Sequence, residues 1–139
     1  MTAPGFVIHH LDHGRAALAA AAGRPVVLIS PAAAAGYQGI GWWQALVGAL
    51  RAEYPDAAFT AVLDCADCPG WALAALRNGV EGVLLTGDGP AFDAVREIAE
   101  QKGAWGEGRW GNDALDLLGA SDPGISCREH GHRMWEQVR

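Results

Sequence analysis

Lysine is almost absent from this chain. Among 139 residues the one lysine is Lys102. It falls near an expected helix end, which excludes Schiff-base chemistry from a strand-borne amine. Ten Lys and Arg face sixteen Asp and Glu, for a formal net charge of −6. The basic residues form no cluster, so nucleic acid is not an expected partner. No apolar run approaches the ~20 residues that cross a bilayer, so no membrane partner is expected either. Met1-Thr2-Ala3-Pro4-Gly5 carries no basic segment of the kind that opens a secretion signal. The three cysteines are an odd number for a disulfide framework. The expectation is a cytoplasmic protein with reduced thiols.

Familiar catalytic and cofactor loops are missing as well. There is no P-loop and no G-x-S-x-G elbow. Gly39-Ile40-Gly41 lacks the third glycine of a dinucleotide fingerprint, and Trp42 would crowd a pyrophosphate. No cofactor is therefore expected, with zinc the one alternative taken up below.

Half of the residues are apolar, enough for one core at this length. The run Val83-Leu84-Leu85 has no polar alternation. It suggests a central strand over Val80 to Thr86, apolar on both faces, inside a parallel sheet. Asn78-Gly79 ends the helix before it, and Pro90 opens the helix after it. Similar strand-helix units precede it. Phe6 to His9 reads as a first strand, with Asp12 capping a helix over Gly14 to Ala22. Pro25 to Ser30 is a second strand, and Pro31 to Gly41 a long loop. A helix over Trp42 to Tyr54 has Ile40, Trp43, Val47 and Leu50 on one face. Phe59 to Asp64 is a third strand, followed by helices over Pro69 to Arg77 and Pro90 to Lys102. Ala104-Trp105 is a candidate fifth strand, and Asn112 a candidate cap for a last helix over Asp113 to Leu118.

Strands alternating with helices predict parallel pairing. The expected fold is a single three-layer α/β domain over residues 1–120 with a parallel sheet of about five strands. It would be flavodoxin-like or part of a (β/α) barrel. Residues 121–139 read as a C-terminal appendage. Six tryptophans suggest an interface and so a homodimer.

In such folds ligands gather beyond the carboxyl ends of the strands. His9-His10-Leu11-Asp12-His13, the Pro31 to Gly41 loop, Asp64-Cys65-Ala66-Asp67-Cys68 and Thr86-Gly87-Asp88-Gly89 would meet there. This makes Asp12 and Asp64 candidate catalytic carboxylates. His10, Tyr37, Thr86 and Asp88 are candidate small-molecule ligands, and His10, Asp12, His13, Asp64 and Asp88 should lie near one another. Asp, Thr and Gly are also ordinary cap and turn residues. Cys65-x-x-Cys68 sits between a strand and a helix, where a redox pair would sit, but Asp64 and Asp67 oppose a thiolate. Cys65 and Cys68, with Cys127 and His130, are the zinc alternative.

Three resemblances attach to these residues. His10-Leu11-Asp12-His13-Gly14 after Val7-Ile8-His9 resembles the strand-end motif of class II, metal-dependent ketose-bisphosphate aldolases. That resemblance implies Asp12 as acid/base and His13 as a metal ligand in a lyase-like enzyme. The match covers five residues, and the chain is about half the length of such a barrel. Asp64 and Thr86 resemble the strand ends of response-regulator receivers, whose acidic pair and lysine have no counterpart here. Gly23-Arg24-Pro25-Val26, Tyr54-Pro55-Asp56, Leu63-Asp64-Cys65 and Ala74-Ala75-Leu76-Arg77 look like small bacterial α/β proteins with no assigned activity. They imply a Rossmann-like fold and nothing about substrate. The absence of paired bases, nucleophile elbows and cofactor loops favours a non-catalytic ligand- or protein-binding module over the metal-dependent enzyme.

Overall fold

The computed structural model describes residues 3–105 and 113–136. Five parallel strands form one open sheet: β1 (Gly5–Val7), β2 (Val26–Ile29), β3 (Phe59–Asp64), β4 (Gly82–Leu84) and β5 (Leu115–Asp116). Their order is β4-β3-β2-β1-β5. Among the described residues the architecture is thus an open α/β parallel sheet with β4 and β5 as its outer strands, not a barrel segment. Its helices are α1 (Leu11–Ala21), α2 (Ala34–Tyr37), α3 (Ile40–Glu53), α4 (Pro69–Arg77), α5 (Pro90–Gln101) and α6 (Pro123–Trp135).

Side chains of a strand alternate between faces, and the core divides accordingly. Phe6, Leu28, Ala61, Leu63 and Val83 point into the larger apolar cluster. All six helices add residues to that cluster, among them Leu18, Ala35, Leu50, Leu76, Val95 and Trp135. Val27, Ile29 and Val62 form a second cluster on the other face, joined by Ala3, Val7, Leu84 and Ala114. No residue of a described helix belongs to it.

Three elements differ from the sequence expectation. The strand at Val83 is an edge of the sheet and spans three residues; the centre is β2. Glu81 shortens β4 because its carboxylate, not its backbone, accepts the Ala61 N–H at 3.2 Å while also binding Arg51. On the outer side of β4, the Val83 N–H donates to the Ala104 carbonyl at 3.0 Å. That single bond is what Ala104-Trp105 contributes, and the two residues form no strand.

The expected helix over Asp113 to Leu118 is β5 instead. Phe6 pairs with Leu115 and Val7 with Asp116. Leu115 and Leu117 alternate into the main cluster, which a strand satisfies and a helix does not. The proposed cap, Asn112, lies outside the described residues.

Within 121–136 the chain forms α6, capped by Asp122, whose Oδ1 accepts the Ile125 N–H at 3.1 Å. The helix packs on α1. The Trp135 indole donates to the Pro25 carbonyl at 3.1 Å, and Arg24 stacks on its ring at 4.0 Å.

Candidate functional site

From β1 to β4 each strand lies beside the one before it, and β5 then returns beside β1. Strand order therefore reverses between β1 and β5. In open parallel sheets the crevice beyond the carboxyl ends at such a reversal is the usual ligand site. The residues leaving β1 there are Ile8, His9 and His10, and β5 ends at Asp116.

Alternation explains who meets whom. Phe6 and Ile8 turn into the core, so Val7 and His9 share the other face. Val7 pairs with Asp116 in register, which brings His9 beside Asp116. His9 Nε2 lies 2.6 Å from Asp116 Oδ1, joining residues 107 positions apart. The same Oδ1 accepts the Leu118 N–H at 2.9 Å. Burial alone would raise the Asp116 carboxyl. The Leu118 N–H and His9 outweigh it and hold the group below the ordinary carboxylate range.

Helix α1 begins at Leu11, with His10 as its N-cap residue. The His10 side chain makes no cap bond, and its ring stacks on His13 with centroids 3.8 Å apart. His13, in the first helical turn, is 5% exposed. It meets His9 edge-on at 5.7 Å. Its Nδ1 accepts the His9 backbone N–H at 3.0 Å, which places the proton of the neutral ring on Nε2. Burial, then the neighbouring His10 and His9, lower its pKa, so the ring stays neutral near pH 7. The edge thus gathers three imidazoles and one carboxylate, partly sealed, with a fixed donor on His13.

No protein-family model matches the chain, and no curated protein matches it.

Of the residues singled out from the sequence, His10 and His13 belong to this group. The others do not join it. Asp12 lies inside α1 instead of capping it, and its exposed carboxylate binds Arg15 at 2.9 Å, a guanidinium that also holds Glu53. Asp64, two strands away, organises the neighbouring turns. Its Oδ1 accepts the N–H groups of Ala33 at 3.2 Å and Ala66 at 2.8 Å. Both alanines hold left-handed backbones, at φ 58° and 50°. Thr86 donates to the Ala66 carbonyl through Oγ1 at 3.3 Å. Asp88 is exposed beyond the edge strand β4, and Tyr37 is 85% exposed at the end of α2.

All three cysteines are free thiols. Burial, then Asp64, pushes the Cys65 thiol up to about 12, and burial alone lifts Cys127 to about 11. Cys68 is raised by desolvation and by Asp67. None of these is poised as a thiolate. Among the described residues, no group of three or more His, Cys, Asp or Glu is arranged to hold a metal ion.

Two surface clefts lie elsewhere. One of about 180 Å³ is lined by Trp43, Val47, Arg51, Val80 and Glu81. The other, about 360 Å³, is lined by Leu18, Gly23, Glu53, Tyr54 and Asp56. Their linings include residues that precede β4 and β2, at the amino ends of the strands, opposite the usual ligand edge.

Asp116 and the pairing role of His9 were not anticipated. Asp116 was hidden by reading its strand as a helix. The alternation of Leu115 and Leu117 about it was the signal that could have found it.

Proposed function

We propose that this protein is a non-catalytic binding module for a small molecule, held at the crevice between the carboxyl ends of β1 and β5. The observation that carries the reading is the meeting of His9, His10, His13 and Asp116 at the point where strand order reverses. A fixed, neutral imidazole donor beside a carboxylate suits recognition of polar groups. Screening the ¹⁵N-labelled protein by NMR against mixed sugars, amino acids, organic acids and nucleotides tests it. The expected result is saturable shifts confined to the amides of His9 to His13 and Asp116 to Leu118. Hits that consistently map elsewhere would sink it.

The module is further read as a cytoplasmic homodimer that binds no nucleic acid. Its net charge of −6 supports the last point. Of the six tryptophans, Trp43 and Trp135 are core residues and carry no weight for an interface. Support for self-association comes instead from the short edge strand β5, flanked by exposed Leu118 and Ile125. Light scattering coupled to size-exclusion chromatography should return twice the 14.6 kDa chain mass. A monomer mass at about ten micromolar would refute it.

A further inference from the structure

Hydrogen-bonding capacity at the β1–β5 edge is only partly used. His13 Nδ1 is taken by the His9 N–H, and among the described residues its Nε2 has no partner. Among the described residues the fully sealed side-chain polar atoms without a partner are Trp105 Nε1 and His130 Nε2. His13 Nε2 is not among them, so the donor of this 5% exposed ring keeps some contact with solvent. Asp116 receives both of its bonds on Oδ1. Among the described residues its Oδ2 has no partner, and more than half of the side chain is exposed. His9 links the two groups, bonding Asp116 at 2.6 Å and meeting the His13 ring at 5.7 Å. The edge therefore carries one open donor and one open acceptor on either side of His9.

Charge narrows what can fill it. An anion would need a surplus cation, but Arg15 on the same helix is held by both Glu53 and Asp12. A carboxylate that already pairs with His9 repels an anion further. A cation would find the Asp116 carboxylate, but it would also face the His13 N–H donor. A hydroxyl group gives one hydrogen bond and accepts another, which matches both open positions.

We propose that the β1–β5 site takes an uncharged, hydroxyl-rich small molecule of the polyol or sugar class. Its hydroxyls accept from His13 Nε2–H and donate to Asp116 Oδ2. This rests on the reading of that edge as a small-molecule site. His10, stacked on His13, holds the ring's other face and fixes the direction of its donor.

The test is NMR titration of the full chain with myo-inositol and D-glucose, alongside acetate, inorganic phosphate and ethanolamine. Saturable shifts of His13 Nε2 and of the Asp116 amide are expected with a polyol and not with the charged probes. In Asp116→Ala, an exposed position whose fold is checked by its unchanged core amides, polyol affinity should fall about tenfold, the loss of one bond to a charged acceptor. His13→Phe should abolish it while keeping an aromatic ring in place. If a charged probe binds these residues and neither polyol does, the ligand class is wrong and the site reading stands. If no probe of the five shifts them, the ligand class falls, and the mixture screen decides the site reading separately. Polyol binding unchanged in Asp116→Ala would also overturn the proposal.

Discussion

Asp64 looked like a catalytic carboxylate from its place at a strand end. In the structure one of its oxygens holds the N–H groups of two left-handed alanines on different loops. A left-handed alanine costs about 1–2 kcal/mol, so the carboxylate offsets strain in both turns. Asp64→Ala is therefore expected to destabilise the protein by about 1–3 kcal/mol, since two part-buried donors lose their partner and the turns lose their brace. Ala66→Gly should instead stabilise it by about 0.5–1 kcal/mol, since glycine removes the strain but adds unfolded-state freedom. Urea melts of both variants measure this, and destabilisation by Ala66→Gly would contradict the strain argument. His13 makes a second residue-level prediction. Its folded pKa lies below the ordinary 6.5 because of burial and its histidine neighbours. Between the two values the unfolded chain binds the extra proton, so stability is full above pH 6.5 and declines as pH falls through the folded value. His130 is shifted the same way, by burial and then Arg133. Urea midpoints should thus drop between neutral pH and about pH 5, and the His13 ring should titrate below 6.5 in NMR. A midpoint above 6.5 would mean that His13 is charged and paired.

At the scale of elements, the third strand and the helices over 69–77 and 90–101 were legible with boundaries correct to about one residue. Proline at the first helical turn and glycine beyond the last mark them plainly. The place of a strand within the sheet was not legible. Val83-Leu84-Leu85 is apolar throughout, but a run buried at an edge and one at the centre have the same composition. Strand order depends on long-range pairing, which leaves no local mark. Helix α6 escaped notice because its buried positions are Cys127, Gly131 and Trp135, four residues apart but mostly small. Half of the site, His10 and His13, was visible as a histidine cluster, while its partner Asp116 depended on a two-residue strand. The corrected order changes where truncation should hurt most. Leu28, on the central strand and fully buried, should lose about 2–5 kcal/mol on replacement by alanine. Leu84, partly exposed on the edge strand, should lose clearly less. Equal losses in chemical denaturation would put β4 back at the centre.

Across the whole molecule, the chemistry of the ionisable groups is that of a protein held together by packing and hydrogen bonds. The thiols are free and raised, and His13 already spends one nitrogen on the backbone. The melting temperature is accordingly expected to be unchanged by a chelator, and elemental analysis to find no stoichiometric zinc. About one zinc per chain, lost in His13→Ala, would instead favour a lyase-like reading. The site also has a place in time. Its two halves are 107 residues apart along the chain, and loop closure over such a distance is slow compared with local helix formation. During synthesis, β1 through β4 can assemble while the last strand is still inside the ribosome. Until Asp116 emerges, the histidines after β1 face an unpaired sheet edge. A nascent chain of this protein can therefore assemble β1 to β4 before Asp116 reaches the proposed site. Leu117, Cys127 and Trp135 complete the core only afterwards, so a ligand at this edge would stabilise only the finished fold.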